Sequence, residues 1–203
     1  SVAGAIPIIR PLRDSLAGDF VTRLMGIVNG TTNYILTKMH EDNREFADVL
    51  KEAQALGYAE ADPTRDLSGQ DAEDKLRILA WMCFGVDPAT LTVTRRGIDA
   101  ETAAWATRVA LAGDRVKLIA SCAREGDELV ARILPTRITS DDPWARVTGP
   151  FNRIVVESES AGSLVFQGPG AGGRATAGAV LADIVVVAVG VHAPKPTKLA
   201  RLQ

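Results

Sequence analysis

The sequence predicts an α+β fold in which a mixed, largely antiparallel sheet is covered by helices on one face. Three observations carry that prediction. Segments with apolar residues at helical spacing crowd the first half of the chain, ahead of Val116. Segments of strand character crowd the part between Val116 and Gln167. The links between those later segments are short and contain glycine, as hairpins require. Helices gathered first and strands gathered later favour segregated layers over repeated strand–helix–strand units.

In chain order, Ser1-Val-Ala-Gly-Ala-Ile-Pro7 reads as a tight turn leading into a short helix, with Pro7 near its first turn. Phe20-Val-Thr-Arg-Leu-Met-Gly-Ile-Val28 alternates as a strand with one buried face. It stops at Asn29-Gly30, a turn and helix cap, and Thr31-Thr32-Asn33 begins a helix over about 31–41. A second helix covers 45–56, where Phe46, Val49, Leu50 and Ala53 fall at i, i+3, i+4, i+7.

Residues 56–75 then hold six acidic side chains, so this stretch is the chemical centre of the chain. Asp62-Pro63-Thr64 and Ser68-Gly69 are turn signals, expected to hold Glu60, Asp62 and Asp66 close together. A helix starting at 68–71 carries Leu76, Leu79, Ala80 and Cys83 inward. Asp71 and Lys75 share one face of it, and Ile78 and Met82 put Lys75 at the edge of the buried stripe. By spacing alone, Asp71–Lys75 is a solvated ion pair worth ~0.2–0.5 kcal/mol.

Residues 86–90 read as a connector, followed by Arg95-Arg-Gly-Ile-Asp99; 101–112 read as a helix, and 116–123 with 129–134 as a strand pair joined at Arg124-Glu-Gly-Asp127. Two more strands, 153–159 and 163–167, are joined through Ser160-Ala-Gly162. Trp81 and Trp105 read as packing residues. Gly168-x-Gly170-x-x-Gly173 matches the dinucleotide fingerprint, but the second strand and the acid ~20 positions later are missing. The run therefore reads as a close backbone approach followed by a helix N-terminus that can meet an anion.

A net charge of −2 and a pI near 5.7, without a basic stripe, argue against nucleic acid. Cys83 and Cys122 lie in apolar runs and read as reduced core residues, as expected of a cytoplasmic protein. Only His40 and His192 are present, too few imidazoles for a histidine zinc site. The longest apolar stretch, 179–191, is broken by Asp183 and is too short to span a bilayer, so no membrane role is expected.

Four motifs, in this order and spacing, resemble the homoserine dehydrogenase family across nearly the whole chain. They are Gly4-Ala-Ile-Pro-Ile-Ile9, Gly26-Ile-Val-Asn-Gly-Thr-Thr-Asn-Tyr34, Gly57-Tyr-Ala-Glu60-Ala-Asp-Pro63 with Asp66, Gly69, Asp71 and Lys75, and Gly168-Pro-Gly-Ala-Gly-Gly173 with Thr176-Ala177. The resemblance implies a substrate-binding and dimerisation region acting with an N-terminal cofactor domain that this sequence does not include. The reaction it implies interconverts L-homoserine and L-aspartate 4-semialdehyde with NAD or NADP, in amino-acid biosynthesis.

It also implies the roles of single residues. Lys75 and Asp71 would be catalytic, with Lys75 the proton shuttle. Glu60, Asp66, Asp71, Tyr58, Gly30 and Thr31 would meet the substrate, and Gly172 the cofactor. The backbone carbonyls of Val2, Gly4 and Ile6 would hold a monovalent cation together with an upstream glutamate. Residues 168–190 would form a return segment packing beside the cofactor domain, and the protein would be a homodimer. Alone, 1–203 is expected to be inactive. The other classes weighed are a non-catalytic dimerisation module and a different dehydrogenase sharing this substrate domain.

Overall fold

The strand nearest the N-terminus, β1 (Val21–Ile27), lies inside the sheet, because its buried alternation lets it pair on both edges. The computed structural model describes residues 2–189. Its six strands run in the order β2 (Val93–Arg95), β4 (Glu128–Ile138), β3 (Arg115–Glu125), β1, β5 (Phe151–Ser158), β6 (Gly162–Pro169). Only β2–β4 is parallel; the other four pairings are antiparallel. The predicted mixed, largely antiparallel sheet is the one observed. The β3–β4 hairpin closes at Glu125↔Glu128 around Gly126 and Asp127, and Gly126 takes φ +63 without the steric cost a side chain would bring.

Among the described residues six α-helices accompany the sheet: α1 (Gly30–Glu41), α2 (Phe46–Ala55), α3 (Thr64–Leu67), α4 (Gln70–Phe84), α5 (Ala100–Leu111) and α6 (Gly173–Ala188). The core follows the alternation of the strands. Leu24, Leu118, Ala120, Cys122, Ile154 and Val156 point to the face that meets Leu76, Leu79, Ala80 and Cys83 of α4. Each such large side chain removed from water contributes about 1.5–3 kcal/mol. A second cluster joins α1, α2 and α5 through Ile35, Val49, Ala53, Ala106 and Val109. On the opposite alternation, Ile27 and Ile119 meet only Val147, Met25 and Trp144, the last from a 3-10 turn at Pro143–Arg146. Helices thus cover one face, as expected. Both cysteines are buried thiols outside any disulfide among the described residues, and burial pushes the Cys122 thiol up to about 12.

The N-terminal turn leads, as expected, into a helical segment that starts at Ile9, two residues past Pro7, and continues as a π-helical turn Pro11–Ser15. Two short elements were not expected. Between the connector 86–90 and Arg96 lies β2, a three-residue strand too short to show alternation. The acidic stretch contains α3, four residues whose start is held by Asp62 accepting from Thr64 N–H (3.1 Å) and Thr64 Oγ1 (2.5 Å). The strands are also longer than read: β3 and β4 run to eleven residues each. His192 and the Pro/Lys-rich end fall outside the described residues.

Gly97 anchors the acidic stretch to the sheet. A Cβ there would lie 2.0 Å from Leu67 O and 2.7 Å from Ser68 Cα, and Ile98 N–H donates to Leu67 O at 2.7 Å. Backbone that close cannot yield as a flexible side chain can. Gly97→Ala should therefore cost on the order of 1–3 kcal/mol through overpacking, read as a lower urea midpoint at unchanged slope. An unchanged midpoint would show that the α3–α4 turn yields freely.

Candidate active site

Where β1 gives way to α1, the chain passes through Val28 and Asn29, both buried. Asn29 has extended backbone (φ −121°, ψ 114°), so its side chain folds back as the cap of α1. Its Oδ1 accepts from Thr32 N–H (2.8 Å) and Thr32 Oγ1 (2.9 Å). Its Nδ2 donates to Asp66 Oδ1 (2.7 Å) and Asp71 Oδ2 (2.8 Å). An asparagine amide has two donor hydrogens and two lone pairs, and all four are used.

Two carboxylates, one from α3 and one from α4, are thereby fixed on a single amide that lies 37 and 42 positions before them. Lys75, one turn along from Asp71, donates to Asp71 Oδ2 (2.6 Å) and to Val28 O (3.1 Å). Its side chain is only 20% exposed, which separates this pair from an ordinary solvated i, i+4 contact. An ammonium carries three N–H groups, and two are committed here. The third is available to an oxygen brought into the site. Among the described residues Asp66 Oδ2 and Asp71 Oδ1 make no hydrogen bond, and both can accept from an ammonium ligand.

Thr31 is buried and its hydroxyl donates to Tyr58 O (2.6 Å), tying the start of α1 to the acidic stretch. The Tyr58 ring packs at 4.8 Å on Tyr34, whose hydroxyl donates to Glu52, itself paired with Arg44. Burial first, then the Glu52 carboxylate, pushes Tyr34 up to about 12, and the Tyr34 and Arg44 hydrogen bonds hold Glu52 below the usual range. Gly30 sits beside the loop at Pro150: a Cβ there would come within 3.1 Å of Pro150 O.

Of the residues named from sequence, Asp66, Asp71 and Lys75 converge with Val28 and Asn29, and Thr31 joins Tyr58. Glu60, Asp62 and Asp66, expected close together, are each engaged separately. Asp62 is engaged by Thr64, which holds its carboxyl below the usual range, and Asp66 is engaged by Asn29. Glu60 is exposed, and only its backbone carbonyl is bonded, to Gln54 (3.2 Å). Asn29 itself was read from sequence only as a turn and cap. The signal that could have exposed it is an asparagine directly after a buried strand, with two distant aspartates in need of a donor.

The glycine run is a close approach, as expected. A Cβ on Gly170 would lie 2.2 Å from the Asn152 amide, and a Cβ on Gly4 would lie 2.6 Å from Gly170 O. Gly172 (φ +113) precedes α6, and the space where its Cβ would stand is open. Residues 2–13 and α6 flank a cleft of about 400 Å³, bridged by Arg10 donating to Ala182 O (3.1 Å). Val2, Gly4 and Ile6 border the same cleft. Among the described residues no helix is long and apolar enough to cross a membrane.

A family model described as homoserine dehydrogenase matches residues 7–185. The homoserine dehydrogenase of Mycobacterium tuberculosis is 47% identical over 211 residues, covering 100% of this chain and 48% of that protein. That of Bacillus subtilis is 43% identical, covering 92% of this chain and 43% of its own length. The solved homoserine dehydrogenase of Thiobacillus denitrificans superposes with a TM-score of 0.87 at 38% identity, covering 98% of this chain and 49% of that one. A hyperthermophilic archaeal homoserine dehydrogenase solved in complex with NADPH gives a TM-score of 0.76 at 31% identity, over 96% of this chain and 56% of that one. The chain spans about half the length of the curated relatives it matches.

Proposed function

The chain belongs to the homoserine dehydrogenase family, and from that premise we propose that it is the substrate-binding and proton-transfer half of an NAD(P)-dependent enzyme interconverting L-homoserine and L-aspartate 4-semialdehyde. The observation that carries the reading is the Asn29–Asp66–Asp71–Lys75 constellation. An amino acid needs anionic partners for its ammonium, donors for its carboxylate and one acid–base group at C4. Asp66 and Asp71 offer unengaged carboxylate oxygens, with Glu60 exposed on the same stretch. Backbone N–H groups at Gly30 and Thr31 open α1 and suit the carboxylate.

In the direction of reduction, Lys75 gives a proton to the aldehyde oxygen at C4 as the carbon receives hydride. In oxidation it takes the hydroxyl proton back. Asp71 holds the lysine in place through both steps. A nicotinamide dinucleotide, when bound, supplies or accepts that hydride. The open Cβ position at Gly172 and the N-terminus of α6, with no acid in its first turn, suit a close approach of that group.

Residues 168–190 fit a return segment beside a cofactor domain. On α6, Val180, Leu181, Ile184, Val185 and Val187 are all more than half exposed, a surface that favours burial against another body. The carbonyls of Val2, Gly4 and Ile6 would hold a monovalent cation. In support, Ala3 (φ +60) and Gly4 (φ +51) are both left-handed, a costly state for alanine that persists only where surroundings impose it. The sheet face on which Phe151 and Val165 are exposed suits a homodimer, and the expected location is the cytoplasm.

The activity is tested by joining this chain to a nicotinamide-binding domain and following homoserine-dependent reduction of NAD or NADP. No turnover with homoserine, but turnover with another hydroxy acid, would assign a different dehydrogenase. For the chain alone, calorimetric titration with NAD and with NADP should show affinity on the order of millimolar or weaker, because the glycine run is already closed against the Asn152 amide and Gly4, where a nucleotide loop needs open backbone. Micromolar binding of either would overturn that reading of the run.

A further inference from the structure

Lys117, on β3, is 1% exposed and is the largest fully buried side chain among the described residues. Among the described residues no carboxylate pairs with it. Its ammonium donates to Val147 O (2.7 Å), Asn33 Oδ1 (2.9 Å) and Thr37 Oγ1 (3.2 Å). Three N–H groups meet three oxygens, which is what keeps a buried charge tolerable without an opposite charge.

Because Asn33 turns its Oδ1 toward the ammonium, its Nδ2 is left for the loop. Its two N–H groups are shared among Gly149 O (2.8 Å), Phe151 O (3.2 Å) and Val147 O (3.0 Å), the last also accepting from the ammonium. These carbonyls straddle Pro150, whose own carbonyl backs Gly30 and accepts the Gly170 N–H at 3.4 Å. One cation therefore orients one amide, and that amide sets the loop standing behind both the start of α1 and the glycine run.

We infer that Lys117 is a positioning residue for substrate binding: its ammonium fixes Asn33, and through it loop 147–151, so that Gly30 and Thr31 keep the geometry that meets the substrate carboxylate. The clamp is read directly from the structure, while its effect on substrate rests on the proposed activity.

Burial, with Arg115 on the same strand, lowers Lys117 from its ordinary value to about 8, against the opposing pull of Glu41 on α1. His40, also on α1, is itself lowered by burial and by Arg115 and Lys117. The ammonium is then the main form at neutral pH. As pH rises through about 8, the neutral amine keeps two N–H groups for three oxygens. The sign for overall stability is opposite. The folded value lies below the unfolded one, so the cost of burying the charge is present below about 8 and is relieved as pH rises beyond it. Loosening of the loop in this window is thus distinguishable from unfolding.

The test is a nitrogen-15 amide titration of the chain from neutral pH to about 9.5, a span covering the lowered lysine. Gly30, Thr31 and Gly149 should shift together with a midpoint near 8, while Leu164 on β6 should not. In Lys117→Met, close in volume but uncharged, the transition should vanish. Flat Gly30 and Gly149 resonances, or a transition that persists in Lys117→Met, would overturn the inference. If that variant does not fold, the parent titration alone decides. Joined to a nicotinamide-binding domain, Lys117→Met should raise KM for homoserine about tenfold with kcat within about threefold. An unmoved KM would overturn the substrate role. A parent without homoserine turnover would instead overturn the proposed activity, leaving the clamp to the titration.

Discussion

Replacing Lys75 with alanine should lower kcat on the order of 10²–10⁴-fold, the usual contribution of a positioned acid–base group. The expectation applies to the chain joined to a nicotinamide-binding domain. Lys75 commits two of its three N–H groups to Asp71 and Val28 O, so the third is aimed by structure already in place. Without it, no other ammonium among the described residues shares Asp71 or Val28 O. KM for homoserine should change far less, because Asp66, Asp71 and the start of α1 still hold the ligand. The measurement is steady-state kinetics in both directions, with circular dichroism to confirm folding. A folded Lys75→Ala with kcat within about threefold of the parent would reduce Lys75 to a helix ion-pair partner, since loss of a general acid–base costs far more.

Asn29→Leu should cost about 3 kcal/mol or more in stability and remove most activity. A hydrogen bond to a charged group contributes about 1.5–3 kcal/mol, and Asn29 makes two. Losing the cap of α1 adds about 1 kcal/mol. The larger consequence is geometric. Asp66 and Asp71 would face each other without the amide that bridges them, and Asp71 is the group that holds Lys75. Asn29→Ser separates the two losses, because serine can cap the helix but cannot bridge both carboxylates. It should recover about 1 kcal/mol of stability relative to leucine and little of the activity. Urea unfolding and kcat/KM on both variants check this. Equal kcat/KM in Asn29→Ser and the parent would mean that the bridge does not organise the site.

Much of this was determined by the sequence alone. Period-two alternation places Leu24, Leu118, Ala120 and Cys122 on one side of the sheet wherever the strands pair. The i, i+4 spacing of Asp71 and Lys75 makes their contact a property of any helix that contains them. Gly126 and Asp127 close a hairpin by local geometry, and the order of four motifs is enough to identify the family. What the tertiary structure alone decided involves partners that no local rule connects. Asp66 reaches Asn29 across 37 positions, and Lys117 reaches Asn33 across 84. The three residues of β2 become a strand only because β4 lies beside them. Lys117 sits in an alternating strand where a charge would be assigned to solvent. It is buried because three oxygens from α1 and the 147–151 loop replace the water it gives up. Local periodicity records which way a side chain points, but what waits there to satisfy a donor depends on how the elements pack.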